Sequence, residues 1–172
     1  NNVWKEEITL STYSINKSPG KCRPYNNRGD ALVDAGRYEE ALLDFDKAVE
    51  LLPKYAMAYY NRGNLYQKQK KYDQALADFN YAIRYRRDFD KAYNNRGTLY
   101  KETNRLDEAL VDYDRAISLN PDYHMAYNNR GSVYILQKQY QLAIEDLDKA
   151  IAIKPDFAEA FGNRGIAKLK LN

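Results

Sequence analysis

The triplet Asn-Arg-Gly occurs five times, at Asn27-Arg28-Gly29, Asn61-Arg62-Gly63, Asn95-Arg96-Gly97, Asn129-Arg130-Gly131 and Asn163-Arg164-Gly165, and successive glycines stand 34 residues apart without an insertion. A period of this length fixes the architecture before composition is considered. Each unit is one supersecondary element, too small to bury its own apolar side, so neighbours must stack into a continuous core. Other positions keep the same phase. An aromatic precedes each glycine by four residues (Tyr25, Tyr59, Tyr93, Tyr127, Phe161), and alanines follow at Ala41, Ala75, Ala109 and Ala143, then at Ala48, Ala82, Ala116 and Ala150. Pro53, Pro121 and Pro155 close three units, and Arg87 takes that place in the second.

Within one unit, apolar residues recur at spacings of three and four, the period of an amphipathic helix. The spacing predicts a first helix over roughly Met57 to Gln69, a polar turn at Lys70 and Lys71, and a second helix over roughly Asp73 to Tyr85. Gly63 with Ala75 and Ala82 would let the two backbones approach closely.

A 34-residue period with these landmarks resembles the tetratricopeptide-repeat (TPR) family along nearly the whole chain. The resemblance implies an all-α, right-handed solenoid of antiparallel helix pairs, about ten helices in all. The units then fall at 22–55, 56–89, 90–123 and 124–157, with a degenerate half repeat over 1–21 and, over 158–172, the first helix of a fifth repeat or a capping helix. One departure is systematic: the residue before the glycine is usually Leu in the family, and here it is Arg.

That arginine has a partner in register. Residues equidistant from the turn of an antiparallel hairpin face each other, which sets Arg62 against the neighbourhood of Asp78. The same reasoning pairs Arg28 with Asp44, Arg96 with Asp112 and Arg130 with Asp146, and the next polar position holds Asp46, Asn80, Asp114 and Asp148. A forked hydrogen bond from each guanidinium to an acid of its own or an adjacent unit follows as the expectation; Arg164 is left without its acid.

In the family the first helices line a concave groove, with the residues two and three before the glycine, and the one after it, pointing in. The resemblance places Asn27, Asn61, Asn95, Asn129 and Asn163 in one inner row, and Asn26, Tyr60, Asn94 and Asn128 beside it, with Asn64 and Lys91 also in the groove. This ladder of amides is similar to that of the O-GlcNAc transferase repeats, where such a row binds peptide main chain. A carboxamide offers two donors and an acceptor and is disfavoured inside helices, so either peptide binding or bracing of a neighbouring helix accounts for it. Co-chaperone members clamp a C-terminal carboxylate with Lys and Arg. The matching positions here hold Asn26, Asp30, Asn61, Lys91 and Asn95, of which only Asn61 and Lys91 suit that ligand.

Composition narrows the classes further. The chain has 172 residues and a net charge of +3 with acids and bases interspersed, unlike a nucleic-acid binder. A single cysteine, Cys22, and a single histidine, His124, leave no disulfide framework, no metal-ligand cluster and no nucleophile–base pair. The reading is a non-catalytic interaction scaffold without cofactor, whose partner is a protein or peptide. No apolar run approaches the roughly 18 residues of a membrane span. The stretch from Asn2 to Asn27 is also similar to a junction in multipass membrane sugar-transferase-like proteins, which would make the chain the extracytoplasmic tail of such a protein. The open face of the last helix predicts self-association through that end; docking of whole proteins by the ends or convex face is the alternative to peptide binding.

Overall fold

Ten α-helices follow one another in the computed structural model of the chain, which describes residues 3–171, and no strand occurs among the described residues. They are α1 (Val3–Lys17), α2 (Cys22–Asp34), α3 (Tyr38–Leu51), α4 (Ala56–Lys68), α5 (Tyr72–Tyr85), α6 (Asp90–Glu102), α7 (Leu106–Leu119), α8 (His124–Leu136), α9 (Tyr140–Ile153) and α10 (Ala158–Leu171). The second repeat's helices thus each begin one residue earlier than the spacing predicts.

The turn inside each hairpin has one geometry. The residue seven after the triplet glycine adopts positive φ: Gly36 at 75°, Lys70 at 59°, Asn104 at 59° and Lys138 at 60°. That residue's N–H bonds back three residues, and the next N–H bonds back five, as in Gly36 N to Val33 O (3.0 Å) and Arg37 N to Leu32 O (2.8 Å). This pattern ends a helix by satisfying its last carbonyls while reversing the chain.

The chain divides into two compact units, 1–87 and 88–172. In the first, α2/α3 and α4/α5 are antiparallel hairpins; α1 lies on α2, α3 meets α4, and α2 touches α4. Its core is built from Leu32, Ala41, Phe45 and Leu65, flanked by Ile8, Val33, Tyr38 and Leu42. In the second unit α6/α7 and α8/α9 pair in the same way, and α10 packs on α9 and α8. Ala143, Leu147, Ala150, Ala160 and Ala167 form the core beneath α10.

At Gly29, Gly63 and Gly97 the glycine of the triplet admits a facing ring, and at Gly131 the backbone of Ala143 also comes close. A Cβ on Gly29 would lie 2.6 Å from Phe45 Cε1, one on Gly63 would lie 3.0 Å from Phe79 Cε1, and one on Gly97 would lie 2.8 Å from Tyr113 Cε1. On Gly131 it would meet Leu147 Cγ at 3.0 Å. The residue 16 positions on therefore sits flat against bare backbone, and Ala75 and Ala82 are buried beside the ring.

Candidate functional site

Each hairpin carries a charged clasp through its middle. Arg62 Nε donates to Asp78 Oδ2 at 2.8 Å and its Nη2 to Oδ1 at 2.8 Å. Arg28 clasps Asp44 (2.7 and 2.8 Å), Arg96 clasps Asp112 (2.7 and 2.7 Å) and Arg130 clasps Asp146 (2.7 and 2.6 Å) in the same two-pronged way. All four aspartates are buried. The third nitrogen reaches backwards: Arg62 Nη1 bonds Asp46 at 2.5 Å and Arg130 Nη1 bonds Asp114 at 2.6 Å. Arg164, expected to lack an acid, bonds Asp148 at 2.6 Å by this backward arm; the forward fork has no counterpart among the described residues.

Aromatic rings complete the clasp. The Arg62 guanidinium lies 5.6 Å from the Tyr59 ring and 5.9 Å from that of Tyr66, and Arg96 sits between Tyr93 and Tyr100 at 5.6 and 5.8 Å. Arginine suits such a slot because its planar fork matches a carboxylate edge-on while its faces stack on rings. Burial pushes the Asp78, Asp112 and Asp146 carboxyls above the usual range, against the pull of the bonded arginines. The bond to Asp78 raises Arg62 further, and that to Asp146 does the same for Arg130.

The asparagines separate into two rows with different surroundings. Asn26, Asn94 and Asn128, expected on the groove surface, are 4%, 4% and 1% exposed. They sit between first helices and link them. Asn61 Nδ2 donates to Asn26 Oδ1 at 3.2 Å in the first unit. In the second, Asn129 Nδ2 donates to Asn94 Oδ1 and Asn163 Nδ2 to Asn128 Oδ1, both at 3.0 Å. The buried amides pass the chain on: Asn26 to Asn27 Oδ1 at 3.4 Å, Asn94 to Asn95 Oδ1 at 3.0 Å, and Asn128 to Glu159 Oε1 at 2.9 Å. A buried carboxamide must be bonded on both sides or it costs about 1–3 kcal/mol per unmet group, which explains why this row brings neighbouring helices into register.

The other row stays accessible. Asn27 is exposed, and Asn61, Asn95, Asn129 and Asn163 are half-buried. Lys91 is exposed at the start of α6, and Asn64 is half-buried beside Gly63 on α4. One contributor in the second unit, Lys101, escaped the sequence reading. Lys101 Nζ donates to Ser132 Oγ at 3.1 Å, and the two flank a recess of about 330 Å³ completed by Glu102, Ile135, Leu136, Asn163 and Ile166. Burial lowers the Lys101 ammonium despite the nearby Glu159 and Glu102. The signal was present in the spacing, since Lys101 and Ile135 occupy one phase 34 residues apart.

Antiparallel helical hairpins repeated at constant length, with accessible carboxamides on their first helices, define a helical-repeat interaction scaffold. The chain belongs to the tetratricopeptide-repeat family: the tetratricopeptide-repeat profile matches 56–89, 90–123 and 124–157, and a profile described as TPR repeat matches 29–70. No curated protein sequence matches it. Among solved structures, the APC/C hetero-tetramer Cut9–Hcn1 is similar with a TM-score of 0.89 over 99% of this chain at 18% identity; this chain spans 34% of that one. MamA is similar with a TM-score of 0.76 at 23% identity, covering 88% of this chain and 89% of its own. The first TPR of Spaghetti (RPAP3), bound to the HSP90 peptide SRMEEVD, gives a TM-score of 0.66 at 25% identity over 67% of this chain and 92% of its own.

Proposed function

We propose that this protein is a scaffold whose first helices hold extended polypeptide by its main chain, with Asn27 and Asn61 doing so in the first unit and Asn95, Asn129 and Asn163 in the second. One observation carries the reading. Asn61, Asn129 and Asn163 each spend one amide N–H on the helix before them, which fixes the carboxamide plane while the side chain stays half-exposed. A carboxamide has further donor and acceptor capacity, and a plane held in place loses little entropy on meeting a peptide group. The Lys101–Ile135–Ile166 recess offers a seat for one amphipathic side chain of such a ligand. The acidic tail seen on the RPAP3 repeat is a poorer match, because Asp30 stands on α2 where a carboxylate would approach.

The test leaves the protein untouched. Peptides selected by display on the immobilised protein would be N-methylated one backbone amide at a time. Where a carboxamide holds that amide, affinity is expected to fall about tenfold, with smaller losses for alanine at the same positions. A flat methylation profile, with affinity carried by side chains, would refute a main-chain grip.

A second reading has its own support. On α10 a Cβ at Gly165 would meet nothing within 4 Å, Phe161 is exposed, and the Arg164 fork faces no carboxylate among the described residues. A second copy resting exposed apolar side chains on this face would give concentration-dependent mass in light scattering. A constant monomer mass up to millimolar concentration would dismiss it.

A further inference from the structure

Four first helices are entered through an aromatic: Tyr55, Phe89, Tyr123 and Phe157 stand just before α4, α6, α8 and α10. Phe89 and Tyr123 are 2% and 7% exposed. Tyr123 packs with Ala116 and Ala126, and Phe157 packs on the core beneath α10. At Tyr123 and Phe157 the ring is a plug, filling the wedge between the end of one second helix and the start of the next first helix.

At the same phase before α2 the plug is missing. Lys21 stands 34 residues before Tyr55, preceded by Gly20, on which a Cβ would meet nothing within 4 Å. A cavity of about 860 Å³ opens there, between the end of α1, the start of α2 and the end of α3. Lys17, Lys21 and Arg23 line it, with Ser18 between them and Tyr13 and Leu52 as an apolar wall, and no carboxylate is among its lining residues. Three surface bases elsewhere are matched by acids three residues on, in Arg37–Glu40, Lys47–Glu50 and Arg105–Glu108. Three cations around one concavity repel each other unless an anion joins them. Lys and Arg together suit a phosphate, one as a point charge and the other as a planar fork. The volume is that of a small-molecule site.

We propose that this cavity binds a phosphate monoester, its charge held by Lys17, Lys21 and Arg23 and the apolar or aromatic group that bears it laid against Tyr13 and Leu52. The inference is independent of the asparagine face. Two sources share this chemistry, a soluble ester and a lipid headgroup, so the experiment has two arms. Phenyl phosphate is titrated while the amide resonances of Ser18, Gly20, Lys21 and Cys22 are followed. In parallel, phosphatidylcholine vesicles with and without phosphatidic acid are sedimented with the protein. Saturable binding of phenyl phosphate alone identifies a soluble ester, and binding dependent on phosphatidic acid identifies a lipid; either supports the site.

The deciding variant is Lys21→Tyr, which restores the plug. It is expected to raise the thermal midpoint while weakening whichever ligand binds at least about tenfold, the loss of one charge-assisted contact and of the space itself. Lys17→Gln with Arg23→Gln, both at exposed positions, should produce the same loss with the plug position unaltered. Binding in neither arm, or undiminished binding by these variants, overturns the proposal.

Discussion

Replacing Arg62 by leucine is expected to cost about 3–5 kcal/mol, since it leaves a buried carboxylate without its cation. Asp78 accepts both prongs of that guanidinium at 2.8 Å and is otherwise enclosed by the hairpin. Leucine is what relatives of this fold usually place before the glycine, so the loss would come from the stranded acid and not from a poorly fitting side chain. The double variant Arg62→Leu with Asp78→Leu should therefore recover most of the deficit, in keeping with apolar replacement of buried ion pairs. The pH dependence has a definite sign. Burial already holds the Asp78 carboxyl above its usual range, opposed only by Arg62. Without the arginine it rises further, while the unfolded value stays near about 3.9. A carboxyl raised in the folded state penalises folding at pH above its folded value, and the penalty vanishes as pH falls toward the unfolded one. Urea denaturation should thus find the single variant's deficit largest at pH 7 and smaller at pH 5. A deficit that grows on acidification, or one below about 1 kcal/mol at pH 7, would show that the clasp is not buried as described.

Gly29→Ala should destabilise and Gly165→Ala should stabilise, although both residues end the same triplet. In a helix interior, alanine is favoured over glycine by about 0.5–1 kcal/mol. At Gly165 nothing opposes that gain. At Gly29 the new methyl would lie 2.6, 2.9 and 3.1 Å from three atoms of the Phe45 ring, itself fully buried. Overpacking of this kind costs roughly 1–3 kcal/mol, which outweighs the propensity gain. Gly131→Ala should fall between them, because Leu147 Cγ at 3.0 Å can move but the Ala143 carbonyl at 3.3 Å is backbone. Thermal melts of the three variants would check the order, and a stabilised Gly29→Ala would contradict the contact with Phe45.

The hairpins were legible in the sequence because the constraints that shape them act within one unit. Counting outward from the turn at Lys70 sets Arg62 opposite Asp78, and the two are bonded. The glycine's partner was missed because counting alone does not say which of several facing residues carries the ring: Ala75 and Ala82 flank the contact, and Phe79 makes it. The asparagine rows were harder still. Asn26 and Asn27 are chemically identical neighbours, and what separates them is a bond from Asn61, 35 residues away on another first helix. No spacing rule inside one repeat encodes that link. The cavity at Lys21, by contrast, is written as a broken phase, a lysine where four other units place Tyr or Phe.

The backward and forward arms of the arginine bear on how such a chain can lengthen. Arg62 and Arg130 each reach one acid 16 residues ahead and another 16 behind. Copying or excising one 34-residue cassette consequently leaves every clasped guanidinium its forward acid. A cassette that carries Asp46, Asp114 or Asp148 also hands the backward acid to the repeat after it, whereas the 56–89 cassette offers Asn80 there. Gene duplication and unequal crossing-over can then vary the number of hairpins freely. The forward clasp is conserved by arithmetic, and selection is left to act on whatever the accessible side chains hold.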